Sequence, residues 1–375
     1  AQVQYLAEFG HPVANDNKVK DLSQEIFISE ELLGTKRDEL GKNKFTHHPE
    51  YRLDYTATTT GKYENVINHL SPDTRTTFVK FEATRYPLLF YYLSAVPYRL
   101  GYSLGLIDRV FLSRFISIIM GLALVYFSFK LARLVFPDNH LLVATVTTLV
   151  SFQPMFSFLT AGVNSDNLMN LLFTVLLYIS AQIIFTGRLT PNLLLALVTT
   201  LLALKFTKPH WVIALPIIVS LVLFSRSSRR IISAATVIGV TITLLVFGFK
   251  LPLPEIDWQA LTRPLFPSYT LLEHIRWTLR HTVAEVIPWY WGVFNWLGVT
   301  LPRPVNRVIN RVLILSFIGL VAWSIKLIIH RRWQTPDKLV VFLGLSSFIY
   351  FVSLMLWDWL FRRWHGFSFG MQGRY

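Results

Sequence analysis

The 375-residue chain contains no cysteine. Disulfides and cysteine-ligated zinc sites are therefore excluded, and cysteine usage leaves the compartment undecided. Charge is scarce as well: 15% of residues are charged, against about 25% in an ordinary soluble domain. Acidic residues are unevenly spread. Residues 1–108 hold 14 Asp/Glu and 12 Lys/Arg, whereas residues 109–375 hold only 8 Asp/Glu against 24 Lys/Arg. No glycine-rich phosphate loop, Ser-His-Asp set or metal-ligand spacing stands out. The sequence begins at Ala1 and not at Met, as expected of a trimmed piece of a longer protein.

Apolar residues fill the space, at 53% of the chain. A basic, acid-poor, apolar region reads as a membrane protein facing anionic lipid or an anionic substrate. Nucleic-acid binding does not fit, because the basic residues punctuate apolar runs and form no polar face. Four charge-free stretches reach spanning length: Leu141–Ser165, Asn167–Gly187, Ile231–Phe249 and Leu339–Trp357. Four shorter runs have flanking charges able to snorkel: Phe115–Phe129, Leu189–Leu204, Pro209–Ser225 and Val312–Ile325. The expected fold is an all-α integral membrane protein with about eight transmembrane helices and a large extracytoplasmic segment.

Orientation follows from the basic residues of short loops. Lys130, Arg133, Arg188, Arg226, Arg229, Arg230, Arg331, Arg332 and Lys338 sit around alternate turns, which are expected to be cytoplasmic. Residues 1–85 then form an outer polar segment, 86–108 an interfacial helix, and 109–250 six spans. Residues 251–307 form an outer loop with interfacial aromatics, 308–358 two further spans, and 359–375 an outer tail. Within the first segment, Ala1–Gly10 reads as a short helix ended by Gly10 and Pro12, and Gln24–Leu33 as another. Residues 46–80 read as loop or weak strand. His47 and His48 are adjacent, do not share a helix face and read as solvent-exposed, not as metal ligands.

Several motifs then fall in order. Arg85-Tyr86-Pro87-Leu88-Leu89-Phe90-Tyr91-Tyr92 resembles the "PPLYY" interfacial segment of polytopic GT-C sugar transferases. Asn164-Ser165-Asp166 resembles the acid-bearing second outer loop of that superfamily. Trp291-Gly292-Val293-Phe294-Asn295-Trp296-Leu297, with Leu301-Pro302 following, resembles a "FWG-FGW…LP" signature, and Gln372-Gly373-Arg374-Tyr375 a "QGRY" signature. The last two resemble a large bacterial family of polytopic membrane proteins of unknown function, itself GT-C-like. Asn295 stands where the family has glycine, and Leu88 where it has a second proline. The resemblance implies that the first and last spans, and one principal catalytic acid, lie outside this sequence.

It further implies sugar transfer from a polyprenyl-phosphate donor to a saccharide or lipid-linked acceptor, at the outer face of a bacterial cytoplasmic membrane. Such chemistry needs a carboxylate as general base and fixed cations for the phosphate charge. Asp166 is the candidate catalytic residue. Arg85, Tyr86, Asn164, Lys205 and Arg374 are the candidate substrate-binding residues, with Lys208 a further candidate. A divalent metal is left open as cofactor, with no ligand assigned. Structural readings stand beside these: Asp166 as a first-turn acid favouring the helix dipole, and Arg85 and Lys205 as snorkelling anchors. A transporter or flippase of lipid-linked saccharides, and a non-catalytic cell-envelope assembly protein, are the alternatives.

Overall fold

The computed structural model describes residues 1–13, 22–33, 57–79, 87–224, 266–294, 299–330 and 333–368. The expected span Ile231–Phe249, His47, His48 and the "QGRY" tail lie outside these residues. The described chain is mostly helical and divides into two compact units.

The first unit comprises Ala1–Leu122, Ser157–Met169 and Val293–Thr300. Helix α1 (Gln2–Phe9) ends as its sequence demands: Gly10 takes a left-handed φ of 71°, and its N–H caps the Leu6 carbonyl. Strand β1 (Leu22–Ser23) leads into α2 (Gln24–Leu32), where the Ser23 hydroxyl accepts from the Ile26 N–H. Next come α3 (Ala57–Asn68), the single turn α4 (Asp73–Thr76) and β2 (Phe78–Val79), which pairs antiparallel with β1. Helix α3 corrects the expectation of loop or weak strand at Ala57–Asn68, whereas β2 agrees with it. The threonines and Gly61 of α3 have low helix propensity, and packing against α2 decides the outcome. Helix α5 (Leu89–Leu100) lies against α1, joining Val3, Leu6, Ala7, Ala95 and Tyr98 in one buried cluster.

Helix α6 (Leu106–Val135) starts in the first unit and ends in the second. The second unit continues with α7 (His140–Ser151) and the start of α8 (Pro154–Thr160). After the first turn of α9 (Asp166–Thr186) it includes α10 (Pro191–Lys205), a 3-10 segment (Pro209–Ile213) and α11 (Ala214–Phe224). Its C-terminal part holds α12 (Leu271–His281), a π-helical turn (Thr282–Val286), α13 (Ile287–Trp291), α14 (Arg303–His330) and α15 (Thr335–His365). The antiparallel pair β3 (Val293–Phe294) and β4 (Val299–Thr300) belongs to the first unit. Leu176, Leu201, Leu204, Ile218, Leu339 and Phe342 anchor the second unit's core, drawn from α9, α10, α11 and α15.

Four described helices are long and apolar enough to cross a membrane: α6, α9, α14 and α15. Helices α10 and α11 are apolar but shorter. No residue of α14 is buried, although it exposes Val312, Ile314, Leu315, Phe317 and Ile318. In water such a surface would be a large apolar patch, whereas lipid solvates it.

The expected span Leu141–Ser165 is not one straight helix: α7 and α8 meet at 54° and form a broken span or a re-entrant pair. Pro154 cannot donate a helical hydrogen bond and clashes with the preceding turn. Gln153 caps the start of α8 and ties the break to α13. Its Oε1 accepts from the Phe156 N–H, and its Nε2 donates to the Tyr290 carbonyl. The expected loop before Val312 is also shorter than its sequence suggested, because α14 already begins at Arg303.

Candidate functional site

The candidate acid lies in a polar turn. Asn164, Ser165, Asp166 and Asn167 open α9, and the Asn164 Oδ1 accepts the Asp166 N–H at 2.9 Å. The Asn167 amide ties the incoming loop by donating to the Leu159 carbonyl at 2.8 Å and the Gly162 carbonyl at 3.4 Å. Asp166 is only 2% exposed, at the positive end of a 21-residue apolar helix. Asn164 thus caps the backbone of Asp166 at the start of α9.

Lys205 closes α10 in the second unit and is 8% exposed. Its Nζ has no hydrogen-bond partner among the described residues and lies 5.2 Å from the centre of the Trp211 ring. Lys208, three residues on, is also buried. Arg85, Tyr86 and Arg374 lie outside the described residues. Among the described residues no three His, Asp or Glu side chains form a metal-sized cluster.

Two polar clusters were not anticipated from sequence. In the first unit, the fully buried Arg109 binds Glu25 Oε1 through Nη2 at 2.5 Å and donates to the Tyr98 hydroxyl through Nη1 at 2.6 Å. Arg75 Nε approaches the same Glu25 oxygen at 3.5 Å, and the Tyr102 hydroxyl donates to Glu8 at 3.0 Å. Burial pushes the Glu8 carboxyl above its ordinary pKa, against the Tyr102 hydrogen bond and Arg109, which pull it down. Ser113, one turn beyond Arg109, donates to the Arg109 and Ser94 carbonyls and so ties α6 to α5.

The second cluster is built by α12 and the last turns of α15. His274 and Asp358 are buried, with His274 Nε2 3.6 Å from Asp358 Oδ2. Ser368 donates to the same Asp358 oxygen at 2.5 Å, and the Tyr269 hydroxyl meets His274 Nδ1 at 3.1 Å. Burial lowers the His274 pKa, opposed by the Asp358 charge. The Arg362 guanidinium lies over the Tyr269 ring at 4.2 Å and near Trp277 at 5.6 Å. Beside it opens a cavity of about 340 Å³ lined by Phe266, Ser268, Tyr269, Glu273, Arg362 and Gly366. The usable sequence signal was the charge and aromatic content of 357–368 next to a charge-free span. It was absorbed by the reading of that segment as an outer tail.

Several apolar helices of spanning length mark this chain as a multi-pass membrane protein. Comparison with family models, with curated proteins and with solved structures gives no match.

Proposed function

We propose that the chain is a GT-C-like membrane glycosyltransferase with about eight spans, working at the outer face of the cytoplasmic membrane. Its donor is a polyprenyl-phosphate sugar and its acceptor a saccharide or lipid-linked saccharide. The acceptor oxygen bonds to the anomeric carbon, and the bond from that carbon to the phosphate oxygen breaks with its electron pair on the polyprenyl phosphate. The acceptor proton passes to a carboxylate. Asp166 is assigned that role, Asn164 positions it, and Arg85, Tyr86, Lys205 and Arg374 are assigned to the substrate. The observation that carries this reading is Asp166 itself, a buried carboxylate opening a spanning-length apolar helix. Ionisable groups in such places are costly and serve a partner or a function.

The 54° break between α7 and α8 favours a second reading, a transporter of lipid-linked saccharides, since broken helices build substrate sites in transporters. A transfer assay on the full-length protein separates the two. Asp166→Asn should lower turnover about 100- to 10,000-fold at an unchanged yield of folded protein. Normal turnover by this variant would remove Asp166 from the mechanism. Movement of a labelled lipid-linked saccharide across proteoliposomes, with no transfer product, would favour the transporter.

A further inference from the structure

We infer that the cavity beside Arg362 is a binding site for a phosphodiester lipid whose headgroup carries hydrogen-bond donors. Arg362 is held as an anion fork. Its guanidinium lies against the Tyr269 ring, which keeps its plane fixed and leaves its N–H edges available. No carboxylate among the described residues lies within ion-pair distance of it. The platform is braced from behind, because the Tyr269 hydroxyl meets buried His274, and Asp358 sits between His274 and Ser368.

The other lining groups narrow the ligand. Ser268 offers an exposed hydroxyl on the rim. Glu273 Oε2 is engaged by the Thr270 N–H and hydroxyl, both at 2.9 Å, which holds the carboxylate charged. A fixed negative charge on the rim disfavours a bare phosphate dianion but accepts hydroxyl or ammonium donors. A monoanionic phosphodiester with such a substituent satisfies both ends. About 340 Å³ suits a headgroup, at the small end of ligand sites.

Position supplies the lipid. Arg362 follows the charge-free stretch Leu339–Trp357 by five residues, and Trp357, Trp359 and Trp364 surround it in sequence, as at a membrane–water boundary. Lipids of two kinds share this chemistry: those with headgroup hydroxyls, such as a glycosylated polyprenyl phosphate, and those with an ammonium, such as phosphatidylethanolamine. The inference concerns binding and does not depend on the transfer reaction or on Asp166.

The test is native mass spectrometry of the delipidated full-length protein. It is titrated with phosphatidylethanolamine, with a short-chain polyprenyl phosphomannose, and with diacylglycerol as a phosphate-free control. At least one phosphodiester lipid should bind one per chain and more tightly than diacylglycerol, and whichever binds identifies the source. Arg362→Gln should weaken it by about 10- to 100-fold, as expected for charge-assisted hydrogen bonds. Ser268→Ala, on an exposed turn, should weaken it by a smaller factor and serves if the Arg362 variant fails to fold. Lys326→Gln, at an exposed position given no role in either site, should bind as the parent does. Binding no tighter than diacylglycerol, or a folded Arg362→Gln with parental affinity, would overturn the inference. Should that variant misfold, parental affinity in Ser268→Ala has the same force.

Discussion

Arg109 and Glu25, 84 residues apart in sequence, meet at 2.5 Å with both side chains buried. This pair ties the polar N-terminal segment to the first turn of a 30-residue apolar helix. A buried charge that loses its partner is stranded without solvent, which costs about 3–5 kcal/mol. Arg109→Ala or Glu25→Ala should therefore lower the thermal midpoint of the purified protein sharply. The double change Glu25→Leu with Arg109→Met should recover part of the loss. A single variant melting with the parent would show that the pair holds nothing together.

Glu8 carries a pH dependence of definite sign. Its carboxyl is raised above 4.5 mainly by burial, so the folded state holds the proton more tightly than the unfolded state. Its contribution is complete below 4.5 and is lost as pH rises through the folded value. Glu8→Gln keeps an acceptor for the Tyr102 hydroxyl and cannot ionise. Relative to the parent, this variant should gain stability between pH 4 and pH 7, measured by denaturant midpoint. A gap that stays constant over that range would contradict the assignment.

Gly366 is required twice. Its φ is 79°, and an added Cβ would lie 2.4 Å from the Phe266 ring. Gly366→Ala should cost about 1–2 kcal/mol from the left-handed backbone alone, and more from displacing the ring. Adding Phe266→Ala should relieve the second cost and leave the first. Parental thermal stability for Gly366→Ala would be the contrary result.

The absence of cysteine gives a clean background for topology. Thr58→Cys and Ser268→Cys, both at exposed positions, should react with a membrane-impermeant thiol reagent on intact cells. Thr335→Cys, at the start of α15, should react only after permeabilisation. Labelling of Thr335→Cys from outside would invert the orientation.

The most legible features are those set by local pattern. Asn167–Gly187 was readable because lipid-facing helices exclude charge, and the helix found is Asp166–Thr186. Gly10 announced the end of α1 because few other residues tolerate its backbone angles. The break at Gln153 was less legible. A charge count registers neither proline nor glutamine, and the acceptor that settles Gln153 is 137 residues away. Arg109 was not legible as a structural residue for the same reason, since nothing near it in sequence names Glu25. Within the candidate site, Asn164 and Asp166 were legible as a helix-start motif. Arg362 was hidden because its support comes from Tyr269 and Trp277, on a segment far upstream.

The side chain of Gln153 also carries a consequence for biogenesis. Its acceptor, the Tyr290 carbonyl, is made 137 residues later. At about 5–20 residues per second of synthesis, that is a wait on the order of ten seconds. For that interval the bent pair has the Gln153 oxygen held by Phe156, while the Gln153 amide nitrogen waits for its acceptor. Until the aromatic segment arrives, water or another polar group has to satisfy those N–H donors.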